Sequence, residues 1–223
     1  MLIAEELYLL LTDDDSGKQE RPGTMRSYGL TAAVLADLVV SGRVALSDER
    51  KPRVTIVDAS PTGDPVLDGA LETLARRDGK RVDSLVTWSK LDPELAVVDS
   101  LVAAGILERG APTMLGLGRP RTPAVDTTPE RLMRSRLRDV LAGTRRPTAA
   151  DATLLSVLQG LNIAAPLLKE ESGGLRAHEM KKRIAAVVDE SAVGDAVARA
   201  VAAMNSAMIT AAIVPAITSS SSG

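Results

Sequence analysis

Apolar residues in this chain recur mostly at intervals of three and four, the spacing that gathers side chains on one face of an α-helix. Leu2, Ile3, Leu7, Leu10 and Leu11 predict a short first helix. Leu30, Ala33, Val34, Ala36, Leu38 and Val39 predict a second from Gly29 to Ser41, stopped by Gly42. Val66, Leu67, Ala70, Leu71 and Leu74 give one face of a third, which runs to about Arg77. Shorter helices follow at Val82 to Trp88 and at Pro93 to Ala104, the latter ended by Gly105. Leu132, Met133, Leu137, Val140 and Leu141 form the buried stripe of a helix with Thr128 as its cap and Pro129 at its first position. Thr148 to Leu161 is apolar, and the helix is interrupted near Pro166. Leu175 to Asp189 is amphipathic with Lys181, Lys182 and Arg183 on its basic face, and a last helix starts at about Ala192.

Period-two alternation is confined to short stretches. Arg43 to Leu46 and Val54 to Val57 predict two strands turned by Asp48 to Pro52. Ile106 to Glu108 and Met114 to Leu117 predict a second small hairpin. The expected fold is therefore mainly α: a single helical domain over residues 1–218, built around a central helix bundle with two small β-hairpins, and a flexible small-residue tail at 219–223. Long buried strands alternating with helices are missing, which disfavours a doubly wound α/β sheet.

Composition narrows the function classes. The net charge of -2 argues against a globally basic nucleic-acid binder, and with no Phe, one Trp and two Tyr there is little for nucleobases to stack on. No cysteine means no disulfide, thiolate metal site or cysteine nucleophile. The opening residues carry Glu5 and Glu6 where a secretory signal needs positive charge. The apolar run from Ala200 to Ile217 is broken by Asn205, Ser206, Thr210 and Pro215, and reads as a buried helix rather than a membrane span. A cytoplasmic protein, or one peripheral at the inner face of a membrane, is expected.

Catalytic patterns are not found. Asp13-Asp14-Asp15-Ser16-Gly17 starts like a calcium loop, but Thr24 stands where the closing glutamate belongs, so it reads as a solvated loop. His178 is the one histidine, on an amphipathic helix with no second ligand. Gly116-Leu117-Gly118-Arg119-Pro120 lacks the third glycine and following helix of a phosphate loop. Neither an enzyme, nor a metal, nor a cofactor is expected.

Two features suit a membrane surface. Arg21, Arg26, Arg50, Lys51, Arg53, Arg109, Arg119 and Arg121 lie in loops and hairpins, and Met114, Leu115 and Leu117 form an apolar tip. Each basic side chain near an anionic bilayer contributes about 1 kcal/mol, and reversible anchoring needs charge plus apolar insertion. The same residues also fit solvated charges and a core-facing tip.

One segment is distinctive as a spelling. In Ala59 to Leu71, Pro61-Thr62-Gly63 supplies a turn, Asp64 a cap, and Pro65 the first helical residue. Together with Glu5-Glu6 before a leucine run, Gly29-Leu30 through Ser41-Gly42-Arg43-Val44 to Leu46, Leu101 to Leu107, Leu154-Leu155 and the paired last helices, it resembles the Golgi phosphoprotein 3 family in a short, bacterial-type form. That resemblance implies a mainly helical fold and a peripheral membrane protein recognising phosphatidylinositol 4-phosphate. Its headgroup pocket uses a tryptophan and several arginines, and an apolar hairpin enters the bilayer. Counted along the chain, the tryptophan position falls at Pro22 and the arginine positions at Thr31, Leu91 and Glu94. None of the four residue types is retained. Arg21, Arg26, Arg109, Arg119 and Arg121 are then the candidates for an anionic headgroup, with Trp88 as a wall and Met114, Leu115 and Leu117 as the inserting tip. An anionic phospholipid is the expected partner. The alternative is a cytosolic adaptor that binds protein tails and has lost phosphoinositide recognition.

Overall fold

A computed structural model describes residues 1–20, 26–110 and 121–191. The elements in chain order are α1 (Ile3–Leu10), α2 (Arg26–Val40), β1 (Val44–Leu46), β2 (Val54–Ile56), α3 (Pro65–Leu74), α4 (Val82–Val86), α5 (Glu94–Ala103), α6 (Thr128–Ala142), α7 (Ala149–Gly160), α8 (Ala164–Leu167) and α9 (Ala177–Glu190). The chain is mainly α, as its periodicity predicts. The last helix from Ala192, the Ala200 to Ile217 run and the tail lie outside the described residues.

Helices α1 and α2 form the centre. Every residue of α1 is buried, and α2 buries the unbroken run from Gly29 to Val39. Burying each leucine contributes roughly 1.5–3 kcal/mol, so this pair dominates the core. α7 packs against both and carries α9 on its other side, while α5 and α6 pack on α1. Gly29 lies close under its neighbours: a Cβ there would sit 2.9 Å from a Leu161 methyl and 3.2 Å from a Leu7 methyl, both of which would have to shift.

Total burial of α1 obliges its polar groups to find partners. Asp37 of α2 accepts from the N–H groups of Ile3 (3.0 Å) and Ala4 (3.1 Å), capping α1 from another helix. Glu5 accepts from the Leu2 N–H (2.8 Å) and the Ser100 hydroxyl (2.6 Å). Glu6 takes both terminal nitrogens of Arg136, at 3.0 and 2.6 Å, while Arg136 Nε donates to the fully buried Asp151 at 2.7 Å.

The Pro61 to Leu71 segment folds as its chemistry dictates. Asp64 Oδ1 accepts from Val66 N (2.9 Å) and Leu67 N (3.2 Å), Pro65 opens α3, and Gly63 takes φ +84. The first hairpin is present, with Val44 opposite Ile56, Ala45 opposite Thr55 and Leu46 opposite Val54.

Three expectations are corrected. Leu132 is 66% exposed: the buried stripe of α6 is Met133, Leu137, Val140 and Leu141, and Leu132 sits one 100° step off it. Thr128 is not the cap but the first residue of α6, and its N–H donates to Asp126 Oδ1 at 2.8 Å. The second hairpin pairs differently too. Leu107 bridges Ala124, Glu108 N donates to the Pro123 carbonyl (3.1 Å), and Gly110 N donates to the Arg121 carbonyl (2.8 Å). Residues 106–110 and 121–125 are thus two arms joined by 111–120. Met114 to Leu117, the expected second strand, lies outside the described residues.

Candidate functional site

The loop after α1 is built to press on one of these arms. It closes through a Thr12–Gln19 bridge, with Asp13 N donating to the Lys18 carbonyl and Gly17 N to the Asp13 carbonyl, both at 2.8 Å. Asp13 Oδ1 accepts from Ser16 N at 2.8 Å. Hydrogen bonds from Ser16 hold the Asp13 carboxyl below the usual range. The acidic run therefore works as turn chemistry, and among the described residues no group of three His, Cys, Asp or Glu is placed to hold a metal ion.

The outer edge of the loop meets the arm along its backbone. Ala124 N donates to the Asp14 carbonyl (2.8 Å) and Thr122 N to the Gly17 carbonyl (3.3 Å). Gly17 has φ +62, and a Cβ on it would lie 2.3 Å from Thr122 N. Only glycine allows this contact. From below, the Tyr8 hydroxyl and Thr122 Oγ1 share a hydrogen bond of 2.8 Å.

Arg26, at the start of α2, points into the same region. Its guanidinium lies over the Tyr8 ring, 4.9 Å from the centroid, and reaches Thr12 Oγ1 at 3.4 Å. Its charge is met by Glu94 at the start of α5. The side chains are 11% and 6% exposed. Burial is the largest influence on Arg26 and lowers its pKa, against the opposing effects of Tyr8 and Asp92. Beside the pair, Thr31 Oγ1 donates to the Ser27 carbonyl (2.8 Å) and lies 3.5 Å from the Leu91 carbonyl. Thr31 and Leu91, counted as headgroup positions from sequence, are therefore neighbours, and Glu94, counted with them, is the partner of Arg26. Thr31, Leu91 and Glu94 are all buried.

The other predicted residues separate into groups. Arg109 is exposed on one arm and ion-paired to exposed Asp99. Arg121 is exposed on the opposite arm, next to Gly110 through the backbone bond. Arg21, Arg119, Met114, Leu115 and Leu117 lie outside the described residues. Trp88 carries Arg77 over its ring at 4.7 Å. Sequence reasoning did not single out Tyr8, Thr12 or Thr122. A tyrosine within the leucine run that follows Glu5 and Glu6 was the available signal, because a buried hydroxyl needs a partner.

A concavity lies between α3 and α5. It encloses about 230 Å³, with Val66, Ala70, Leu91 and Leu95 on its apolar wall and Lys90 and Asp92 among its polar lining. Gly69 faces open space, and Leu95 is 69% exposed. Among the described residues, no helix is long and apolar enough to cross a membrane.

Comparison with known proteins agrees with the resemblance carried by the ordered segments. Residues 3–204 match the family model described as Golgi phosphoprotein 3 (GPP34). Vacuolar protein sorting-associated protein 74 of Eremothecium gossypii is 24% identical over 162 residues, which cover 63% of this chain and 49% of the relative. The chain thus spans about half the length of that curated relative. With the family model matching nearly its whole length, this chain belongs to the Golgi phosphoprotein 3 family.

Proposed function

We propose that this protein associates reversibly with anionic phospholipid surfaces through the segment between its two arms. The observation that carries this reading is the Gly110–Arg121 backbone hydrogen bond of 2.8 Å, which sets exposed Arg109 and Arg121 at the two roots of a segment containing Met114, Leu115, Leu117 and Arg119. Basic groups around an apolar insertion are what a weak, salt-sensitive anchor requires. The Arg109–Asp99 pair is solvent-exposed on both sides, so it restrains Arg109 only weakly. Arg26 is excluded from this role while Glu94 holds it, so the reading is attraction by charge without phosphatidylinositol 4-phosphate selectivity.

Co-sedimentation with neutral, generally anionic, and phosphatidylinositol 4-phosphate vesicles tests it. Binding to both anionic sets, weakened at high salt and by the Arg109→Gln/Arg121→Gln double variant, is expected. No sedimentation with any vesicle overturns the reading, and strong preference for phosphatidylinositol 4-phosphate overturns its unselective form. The groove between α3 and α5 favours a second reading, an adaptor that docks an apolar protein segment. A bulky Gly69→Leu change would fill it and abolish such docking while leaving vesicle binding unchanged.

A further inference from the structure

Residues 79–82 return along β2 and widen the first hairpin into a three-stranded ribbon. Val54 N donates to the Lys80 carbonyl (2.8 Å) and Val82 N to the Pro52 carbonyl (3.0 Å), and between those two bonds Arg53 and Arg81 form an antiparallel bridge. Residues opposed in this way share one face, with Cβ atoms about 4.5–5.5 Å apart. The inner face of the ribbon is apolar, since Val44, Val54 and Val82 are buried. The two-residue period then puts Ala45, Arg53, Thr55 and Arg81 on the outer face. Ala45, Arg53 and Thr55 are exposed, and the Arg81 side chain is 37% exposed.

Like charges directly opposite each other destabilise a strand pair, and the neighbouring acids do not resolve this one. Glu49 reaches Arg53 at 3.4 Å, but the two side chains are 58% and 49% exposed, so the pair is weak in water. Asp83 pairs with Arg81, yet Arg81 Nε stays buried with no acceptor among the described residues. Asp78 is turned onto the backbone, where its Oδ1 accepts from Ile56 N (2.9 Å) and Gly79 N (3.0 Å). Exposed Lys80, next to Arg81 in sequence, adds further positive charge. We infer that the outer face of this ribbon is a separate anion site, which binds a phosphate monoester between Arg53 and Arg81. A phosphoryl group carries close to two charges and three acceptor oxygens, enough for two guanidinium forks at once. The small side chains of Ala45 and Thr55 leave it room. Bound there, the anion converts the repulsion across the bridge into attraction to a shared centre. The site uses no residue of the 109–121 region and stands whether or not that region meets a membrane. A soluble phosphorylated compound and a lipid headgroup both offer this chemistry.

Glycerol 3-phosphate probes the soluble source, in an NMR titration of the whole chain. Its addition should move the Nε–Hε signals of Arg53 and Arg81 together and saturably. Arg53→Gln and Arg81→Gln should each weaken this binding by about tenfold or more, and Arg109→Gln/Arg121→Gln should leave it unchanged. Phosphatidic acid vesicles, whose headgroup is a monoester, probe the lipid source by co-sedimentation against phosphatidylglycerol vesicles of matched surface charge, which carry only a diester. That arm uses the Arg109→Gln/Arg121→Gln variant, so that the anchor proposed above does not contribute. Saturation by glycerol 3-phosphate assigns the site to a soluble phosphate. A preference for phosphatidic acid without it, lost on adding Arg53→Gln or Arg81→Gln, assigns the site to a headgroup. Response to neither monoester overturns the proposal, as does equal binding in both glutamine variants.

Discussion

Arg26 and Glu94, 68 residues apart in sequence, close on each other between the starts of α2 and α5, with the Tyr8 ring beneath the guanidinium. Both side chains are nearly inaccessible, so the pair neutralises a charge that would otherwise be the natural ligand for an anion. Removing one partner of such a pair strands the other charge in a poorly solvated place. Glu94→Gln and Arg26→Met should each lower stability by about 3 kcal/mol in urea titration, and the double variant by clearly less than the sum. Strict additivity would show that the two charges do not act on each other.

Asp37 offers a pH signature. Burial raises its carboxyl from 3.8 to about 7, against hydrogen bonds from Ile3 and Ala4. A group raised on folding contributes most below its unfolded value, and that contribution is lost as pH rises through the folded value. Asp37→Asn should therefore remove about 2 kcal/mol of the stability difference between pH 4 and pH 8, seen as a flatter dependence of the urea midpoint on pH. An unchanged pH profile would contradict this assignment.

Gly17→Ala should be costly out of proportion to one methyl group. The backbone lies at φ +62, and the added carbon would stand 2.3–2.5 Å from backbone atoms of Thr122 and Pro123, which have no rotamer with which to yield. The loop must leave the arm. A loss of about 2 kcal/mol or more is expected in thermal or urea unfolding, with faster amide exchange at Ala124. A neutral effect would mean that the loop does not press on the arm in solution.

Asp64→Ala deletes the acceptor for Val66 N and Leu67 N but leaves Asp68 holding Thr62 through N (2.6 Å) and Oγ1 (2.7 Å). The change should cost about 1 kcal/mol in urea unfolding, with the turn kept. A loss several times larger would show that Asp64 organises the whole Pro61 to Leu71 segment.

The helices and the first hairpin were legible because their signals are local. A 3.6-residue period, a cap at Asp64 and glycines after the helix ends act within a few residues. Leu132 was misplaced because apolar character marks a helix face only to within one residue step. The arm pairing was missed for a different reason: Ile106 to Glu108 and Met114 to Leu117 are adjacent strand-like stretches, whereas Leu107 actually meets Ala124, 17 residues on. Of the site, Arg109 and Arg121 were named from sequence and stand exposed on facing arms. Arg26 was named equally and is turned inward.

The sequence by itself determined the family, the mainly α class, most element positions and the scarcity of aromatic side chains. Those depend on spacing, composition and ordered local motifs. Tertiary structure alone decided which charges remain available. Arg26 meets Glu94, Arg136 meets Glu6 and Asp151, and Arg134 meets Glu130 and Glu171, while Arg109 and Arg121 stay in solvent. Most of these partners are distant along the chain. Whether a charge binds an external anion or an internal carboxylate depends on which groups folding brings within a few ångströms of it, because burial strengthens that interaction and removes competing water.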